Sequence, residues 1–354
     1  MFQKVFTTIL LVTISLNCTS QLNIDTIFND YKHELDSFPN NFYLATALIK
    51  DGQVYHIGFK KQNDSIYKAN LKDSLFEIGS ITKTFTSSLL ASEIINNNLK
   101  ETDFINKQFP FKFKNKTKIS YLTLANHTSG LYRLPSNISM LIFENPENPY
   151  LNYSLKELEY YLKNELVLDN QNISKFSYSN LGAGLLGQTL SKKEKKSIEL
   201  LTKEKILSKY GMNSTSYNVN TSIIGLDKNS LATSNWDMNA LKSAGGLISN
   251  TSDLCKYITA HFNPDYKALS LTRKPTYYIN KEMAIGLGWF IKNPLTDQEI
   301  CWHNGGTGGF TSCLAFSTKN KIGVVVLSNI NMEHKEAVLV DQLCFKLMNY
   351  LQDE

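Results

Sequence analysis

A serine and a lysine three residues apart, within Phe76-Glu77-Ile78-Gly79-Ser80-Ile81-Thr82-Lys83-Thr84-Phe85, have the types and spacing for nucleophilic catalysis. A serine hydroxyl of ordinary pKa is a poor nucleophile and needs a neighbour to take its proton. Residues three apart in a helix share a face, so Lys83 lies beside Ser80 if a helix starts here. Gly79 allows a tight turn into that helix, and the free N–H groups at its start can stabilise a developing oxyanion. The same spacing recurs at Ser65-Ile66-Tyr67-Lys68, after Asn63-Asp64, in a polar stretch that reads as a turn; we take that match as chance.

Two further stretches carry chemistry. Tyr178-Ser179-Asn180 precedes the glycine-studded apolar run Leu181 to Gly187, which suits a closely packed helix. A tyrosinate serves as a general base where cations lower its pKa, and Asn180 could hydrogen-bond a substrate amide. The plainer alternative is a core tyrosine near a turn, and the pattern recurs at Tyr150-Leu151-Asn152 and Tyr278-Ile279-Asn280. In Trp302-His303-Asn304-Gly305-Gly306-Thr307-Gly308-Gly309-Phe310, a strand runs into glycines, as backbone laid against a ligand requires. His303 could supply a proton or a positive charge, and the Gly306 N–H an oxyanion donor; a glycine-rich hairpin with an incidental histidine is the alternative. Asn126-His127-Thr128-Ser129-Gly130-Leu131 and Ser243-Ala244-Gly245-Gly246-Leu247 read as tight structural turns. His127 reads as a hydrogen-bonded core residue; Arg133 could reach a carboxylate in a cleft, but a plain surface arginine is the preferred reading.

The elements that must position these residues follow from periodicity. A helix is expected over Gln21 to Phe38, with Ile24, Ile27, Phe28, Tyr31 and Leu35 on one side. Phe42 to Phe59 reads as a hairpin about Asp51-Gly52. Thr84 to Ile95 continues helically, with Phe85, Leu89 and Ile94 or Ile95 inward. Helices dominate residues 100–272. Ser154-Leu155-Lys156-Glu157 is a capping box ahead of inward Leu155, Leu158, Leu162 and Leu166. Lys196 to Tyr210 is stopped by Gly211, and another helix starts at Thr251-Ser252-Asp253. Strand character returns at Ile285 to Phe290, Glu299 to Phe316 and Ile322 to Leu327. A last helix, Lys335 to Leu351, carries Val338, Leu339, Leu343, Leu347 and Tyr350. The expected fold is α+β: an antiparallel sheet flanked by helices, built from 21–99 and 273–354, with an all-helical lobe, 100–272, inserted.

At 354 residues, 42% hydrophobic and 19% charged, the chain can bury a large core. A formal charge of +5 with dispersed lysines gives no basic stripe, so nucleic acid is not an expected partner. Residues 1–20 read as a removable export signal, with Lys4, an apolar run from Val5 to Leu16 and small residues before Gln21. The run is short for a membrane span. Lipidation at Cys18 is the alternative and the one expected route to a membrane. The location expected is periplasmic or secreted. Cys255, Cys301, Cys313 and Cys344 match no metal site. Cys301 and Cys313 would face each other across a hairpin centred near Thr307, the alternative being buried free thiols.

Taken in order, these stretches resemble the serine hydrolases of the class C β-lactamase and low-molecular-weight penicillin-binding-protein superfamily. Ser80-Ile81-Thr82-Lys83 is similar to its S-x-x-K, Tyr178-Ser179-Asn180 to its Y-x-N and His303-Asn304-Gly305 to its third motif, over roughly residues 40–330. The resemblance implies a two-lobed fold with the site between the lobes, and no cofactor or metal. It implies an acyl-enzyme on Ser80, proton removal shared by Lys83 and Tyr178, and an oxyanion hole from the Ser80 and Gly306 N–H groups. Asn180, His303, Asn304 and Gly305 would bind a small-molecule or peptidoglycan-peptide substrate. The β-lactamases usually carry lysine-threonine-glycine where this chain has His303-Asn304-Gly305. That departure points to D-amino-acid peptide, amide or ester hydrolysis ahead of efficient β-lactam hydrolysis. A binding or sensor protein without turnover is the competing reading.

Overall fold

The computed structural model describes residues 34–353. The export signal, Cys18 and all but the end of the first expected helix lie outside them. At that end, Leu35 and Phe38 are buried, and Phe38 stacks on Phe42 with ring centroids 4.0 Å apart.

Strands from both ends of the chain build one antiparallel sheet. The N-terminal part gives β1 (Tyr43–Lys50), β2 (Gln53–Gln62) and β3 (Ser65–Lys68). Asp51 and Gly52 turn between the first two with φ of 51° and 75°, the left-handed pair that a two-residue hairpin needs. β4 (Phe76–Glu77) lies outside this sheet and pairs with β5 (Ile248–Ser249). The C-terminal part adds β6 (Tyr277–Tyr278), β7 (Met283–Ile285), β8 (Phe290–Lys292), β9 (Ile300–Gly306), β10 (Thr311–Ser317) and β11 (Ile322–Ser328). The spatial order is β3-β2-β1-β11-β10-β9-β8-β7-β6. The first and last long strands are therefore neighbours, with Ala47 opposite Val325.

Both faces of the sheet are covered, which is why its central strands read as unbroken apolar runs. Alternate residues go to opposite faces. Ala45, Ala47, Leu314, Phe316, Val325 and Leu327 join the larger core, and Leu44, Leu48, Ala315, Val324 and Val326 the smaller one. The larger core is roofed by α1 (Thr82–Ile95), α2 (Asn180–Glu194) and α3 (Thr251–His261). The smaller is closed by α4 (Ala337–Asp353). Trp289, fully buried in the larger core, meets Tyr257, His261 and Phe316.

Several expectations need correction. Ser65–Lys68 is an edge strand, so residues three apart point to opposite faces and cannot pair. Residues 286–289 form a bend between two strands rather than one strand. The Ser154 capping box forms, but Leu155 and Val338 are exposed, not inward. Residues 100–272 are not wholly helical: Gly225–Leu226 pairs with Ala232–Thr233, and α3 packs on the sheet against β1 and β11. Cys301 lies opposite Phe316, and Cys313 opposite Asn304. The hairpin is thus centred between Gly308 and Gly309 rather than at Thr307. An odd slip moves a side chain to the other face, so Cys301 faces the larger core and Cys313 the smaller. All four described cysteines are free and buried.

Candidate active site

Ser80 sits in a single 3₁₀ turn, Gly79–Ile81, that leads into α1. Gly79 has φ +48°, and a Cβ on it would stand 2.6 Å from the Gly306 backbone nitrogen. A Cβ on Gly305 would stand 2.1 Å from the Ile78 oxygen. The serine turn and strand β9 therefore touch backbone to backbone, and only glycine permits that approach.

Helix α1 is buried almost all round although rich in threonine and serine. Its hydroxyls are satisfied locally: Thr84 donates to the Ile81 carbonyl at 2.8 Å and Ser88 to the Thr84 carbonyl at 2.9 Å. Lys83 enters this interior at 2% exposure. Its Nζ lies 2.9 Å from Ser80 Oγ and donates to the Ala244 carbonyl at 2.6 Å. The stretch Ser243 to Leu247, read as a structural turn, thus also aims the lysine. Burial, helped by the positive charge of Arg133, holds the Lys83 pKa well below the ordinary lysine value. The shift favours the neutral amine, the form that can accept a proton from Ser80.

Tyr178 completes the cluster. Its hydroxyl hydrogen-bonds Ser80, Lys83 Nζ stands 4.9 Å from its ring centroid and the Arg133 guanidinium carbon 5.3 Å. Desolvation pushes its phenol pKa up, more strongly than the Ser80 hydrogen bond and Arg133 pull it down. Desolvation thus favours the protonated phenol over the tyrosinate at Tyr178, and a phenol can donate.

Asn180 opens α2 behind the cap Ser179, whose Oγ accepts from the Gly182 N–H at 2.9 Å. Asn180 Nδ2 donates to the Tyr150 hydroxyl at 3.3 Å, and its buried Oδ1 has no partner among the described residues. That oxygen is a ready acceptor for an amide N–H. Asn304 Nδ2 donates to Asp341 Oδ2 at 2.7 Å.

Ser80, Tyr178, Asn180, Asn304, Gly305 and Gly306 line one cleft of about 700 Å³. His303 does not. It is 1% exposed, its Nδ1 donates to the Asn304 carbonyl at 2.6 Å, and its ring packs beside Phe290 and Tyr178. Burial first, then the Lys83 charge, pushes its pKa down to about 3. The expected positive charge or proton source is absent, because strand alternation turns Trp302 and Asn304 to the cleft and His303 inward. His127 is buried, as read, and its Nδ1 accepts from the Ser179 N–H at 3.2 Å.

Other residues arrive without a sequence signal. Tyr150, whose neighbourhood read as a chance repeat, lines the cleft, as do Trp236, Phe290, Val338 and Asp341. Arg133 is exposed, as expected, and also lines it. Glu77 is buried between three segments: it accepts from Thr307 Oγ1 and, at 2.6 Å, from the Trp236 N–H. Burial raises its pKa. The one foreshadowing signal for Glu77 was its place three residues before Ser80.

Comparison with known proteins agrees with this geometry. The beta-lactamase family model matches residues 44–344. A "Beta-lactamase" of Pseudomonas fluorescens is 25% identical, over 83% of this chain and 90% of that protein. "Protein flp" of Staphylococcus aureus strain MRSA252 is 25% identical, over 94% of this chain and 67% of its own length. Among solved structures, an octameric penicillin-binding protein homologue from Pyrococcus abyssi superposes with a TM-score of 0.77 at 20% identity, covering 94% of this chain and 78% of that one. A beta-lactamase/D-alanine carboxypeptidase from Pseudomonas syringae gives 0.75 at 21% identity, covering 92% and 98%. With its nine-stranded antiparallel sheet, its flanking helices and a match over most of its length, this chain belongs to the beta-lactamase family, within the serine β-lactamase and penicillin-binding-protein superfamily.

Proposed function

We propose that this protein is a serine hydrolase that works through an acyl-enzyme on Ser80 and cleaves a D-amino-acid peptide, amide or ester. The observation that carries the reading is the 2.9 Å contact of Ser80 Oγ with a buried lysine amine of depressed pKa, at the floor of an open cleft.

The substrate carbonyl lies over Ser80 with its oxygen toward the Ser80 and Gly306 N–H groups, while Asn180 Oδ1 accepts its amide N–H. Ser80 Oγ attacks the carbonyl carbon and its proton passes to neutral Lys83. The oxyanion of the tetrahedral intermediate is held by the two N–H groups, which need no rearrangement as charge develops. Tyr178 gives its phenolic proton to the leaving nitrogen or oxygen as the bond to carbon breaks, and protonated Lys83 restores that proton. Water then attacks the acyl-enzyme, with the same groups acting in reverse. His303 contacts no substrate; it wedges Tyr178 from behind.

Peptide or ester hydrolysis ranks ahead of β-lactam hydrolysis because His303-Asn304-Gly305 stands where the β-lactamases usually carry lysine-threonine-glycine. The Pseudomonas syringae neighbour, named for both activities, is consistent with either. An assay panel of a D-Ala-D-Ala peptide, a short p-nitrophenyl ester and a chromogenic cephalosporin tests this. Turnover of the peptide or the ester above the cephalosporin, lost in Ser80→Ala, is expected. Turnover that survives Ser80→Ala overturns the mechanism, and faster cephalosporin cleavage overturns the ranking. Export to the periplasm or medium is part of the proposal. Detection of the protein in the periplasmic or culture fraction of its source cells checks it.

A further inference from the structure

We infer that Arg133 is the cleft's carboxylate receptor, so the substrates handled best carry an anionic group directed to the helical side of the site. The inference rests on the serine-hydrolase reading above and deepens it.

Four observations lead there. First, with His303 buried and uncharged, the third motif presents no cation to a ligand. Second, Arg133 is the one cationic side chain among the described residues lining the cleft, while Lys83, at 2% exposure, lies beneath its floor. Third, no carboxylate pairs with the guanidinium among the described residues, and it lies against the face of Tyr178, at 5.3 Å. A guanidinium with no carboxylate partner can offer two parallel N–H donors to a ligand carboxylate. Fourth, the other charged residues lining the cleft, Glu333 and Asp341, are acidic. Asp341 belongs to α4 and is tied to Asn304 of β9. A substrate carboxylate is repelled there and attracted at Arg133, so charge fixes one of two orientations.

The backbone at this position is held independently of its side chain. The Arg133 carbonyl accepts from the Asn180 and Leu181 N–H groups at 3.0 and 3.1 Å, fixing the start of α2. Substituting the side chain therefore leaves that anchorage in place.

The test uses matched p-nitrophenyl ester pairs, an acyl chain ending in methyl against one ending in carboxylate. A second pair carries the carboxylate on the leaving phenol. For the wild type and for Arg133→Gln and Arg133→Lys, the readout is the ratio of kcat/KM for the charged over the neutral member. Loss of a charged hydrogen bond predicts that the ratio for at least one pair falls about tenfold or more in Arg133→Gln, through KM, with Arg133→Lys between. The wild-type preference should also shrink in high salt. Ratios unchanged in both pairs, with turnover still dependent on Ser80, overturn the role of Arg133. Turnover independent of Ser80 overturns instead the hydrolase reading beneath it. A uniform loss on all four esters also counts against a receptor, since it marks an effect on Tyr178 or packing.

Discussion

At the scale of single residues, the site is governed by desolvation. Burial disfavours the charged forms of Lys83, Tyr178 and His303 alike, so the neutral form of each is favoured in the resting cluster. As pH falls through the depressed Lys83 pKa the amine gains a proton and can no longer accept one from Ser80. The kcat/KM of ester hydrolysis should accordingly fall along an acid limb that lies below the ordinary lysine value of 10.5. Burial holds His303 down to about 3 and His127 well below the ordinary histidine value, so the limb is assigned to Lys83. A limb that moves in His303→Gln but not in Lys83 variants would contradict this. Lys83→Met should lower kcat/KM about a hundredfold or more, the usual worth of a general base. The same residue costs stability. Its folded pKa lies below its unfolded one, so between the two the unfolded chain binds more protons and stability rises with pH. Lys83→Met should flatten that slope, which denaturant midpoints at neutral and alkaline pH will measure.

At the scale of elements, the site depends on how closely the serine turn, β9 and the Trp236 segment are drawn together. Gly79 stands against Gly306 with a left-handed φ that a side chain adopts only at a cost of about 1–3 kcal/mol. Gly79→Ala should lower the melting temperature, and it should lower acylation further than the stability loss explains, because it displaces an oxyanion donor. Glu77 fastens the same junction. Glu77→Ala leaves the Thr307 hydroxyl and Trp236 N–H without an acceptor, at about 1–3 kcal/mol for each buried group. Denaturant unfolding will measure it, and a loss below about 1 kcal/mol would show that water replaces the carboxylate.

At the scale of the whole molecule, the chain's two ends meet in one sheet, and the cleft forms where the intervening segments return to it. Much of this was legible. Alternation, turn residues and helix caps marked most strands and helices, and three short stretches in order marked Ser80, Lys83, Tyr178 and Asn180. What escaped depends on register and on distant contacts. The hairpin after His303 is centred later than Thr307, so Cys301 and Cys313 take opposite faces. Tyr150, Asp341 and Glu77 reach the site through tertiary packing, which leaves no local pattern. Leu155 and Val338 fit the helical period yet sit at its edges, and Val338 borders the cleft. One consequence is direct: Cys255, Cys301, Cys313 and Cys344 should all alkylate in denaturant without reductant. A Cys301–Cys313 disulfide, found by peptide mapping before reduction, would contradict the register.

The central claim is that Ser80 is the nucleophile. Incubation with an active-site serine probe, followed by intact mass and peptide mapping, tests it most directly. One adduct per chain is expected, on the peptide holding Ser80, and no adduct on Ser80→Ala. Undiminished labelling of Ser80→Ala, or an adduct on another residue, would contradict it.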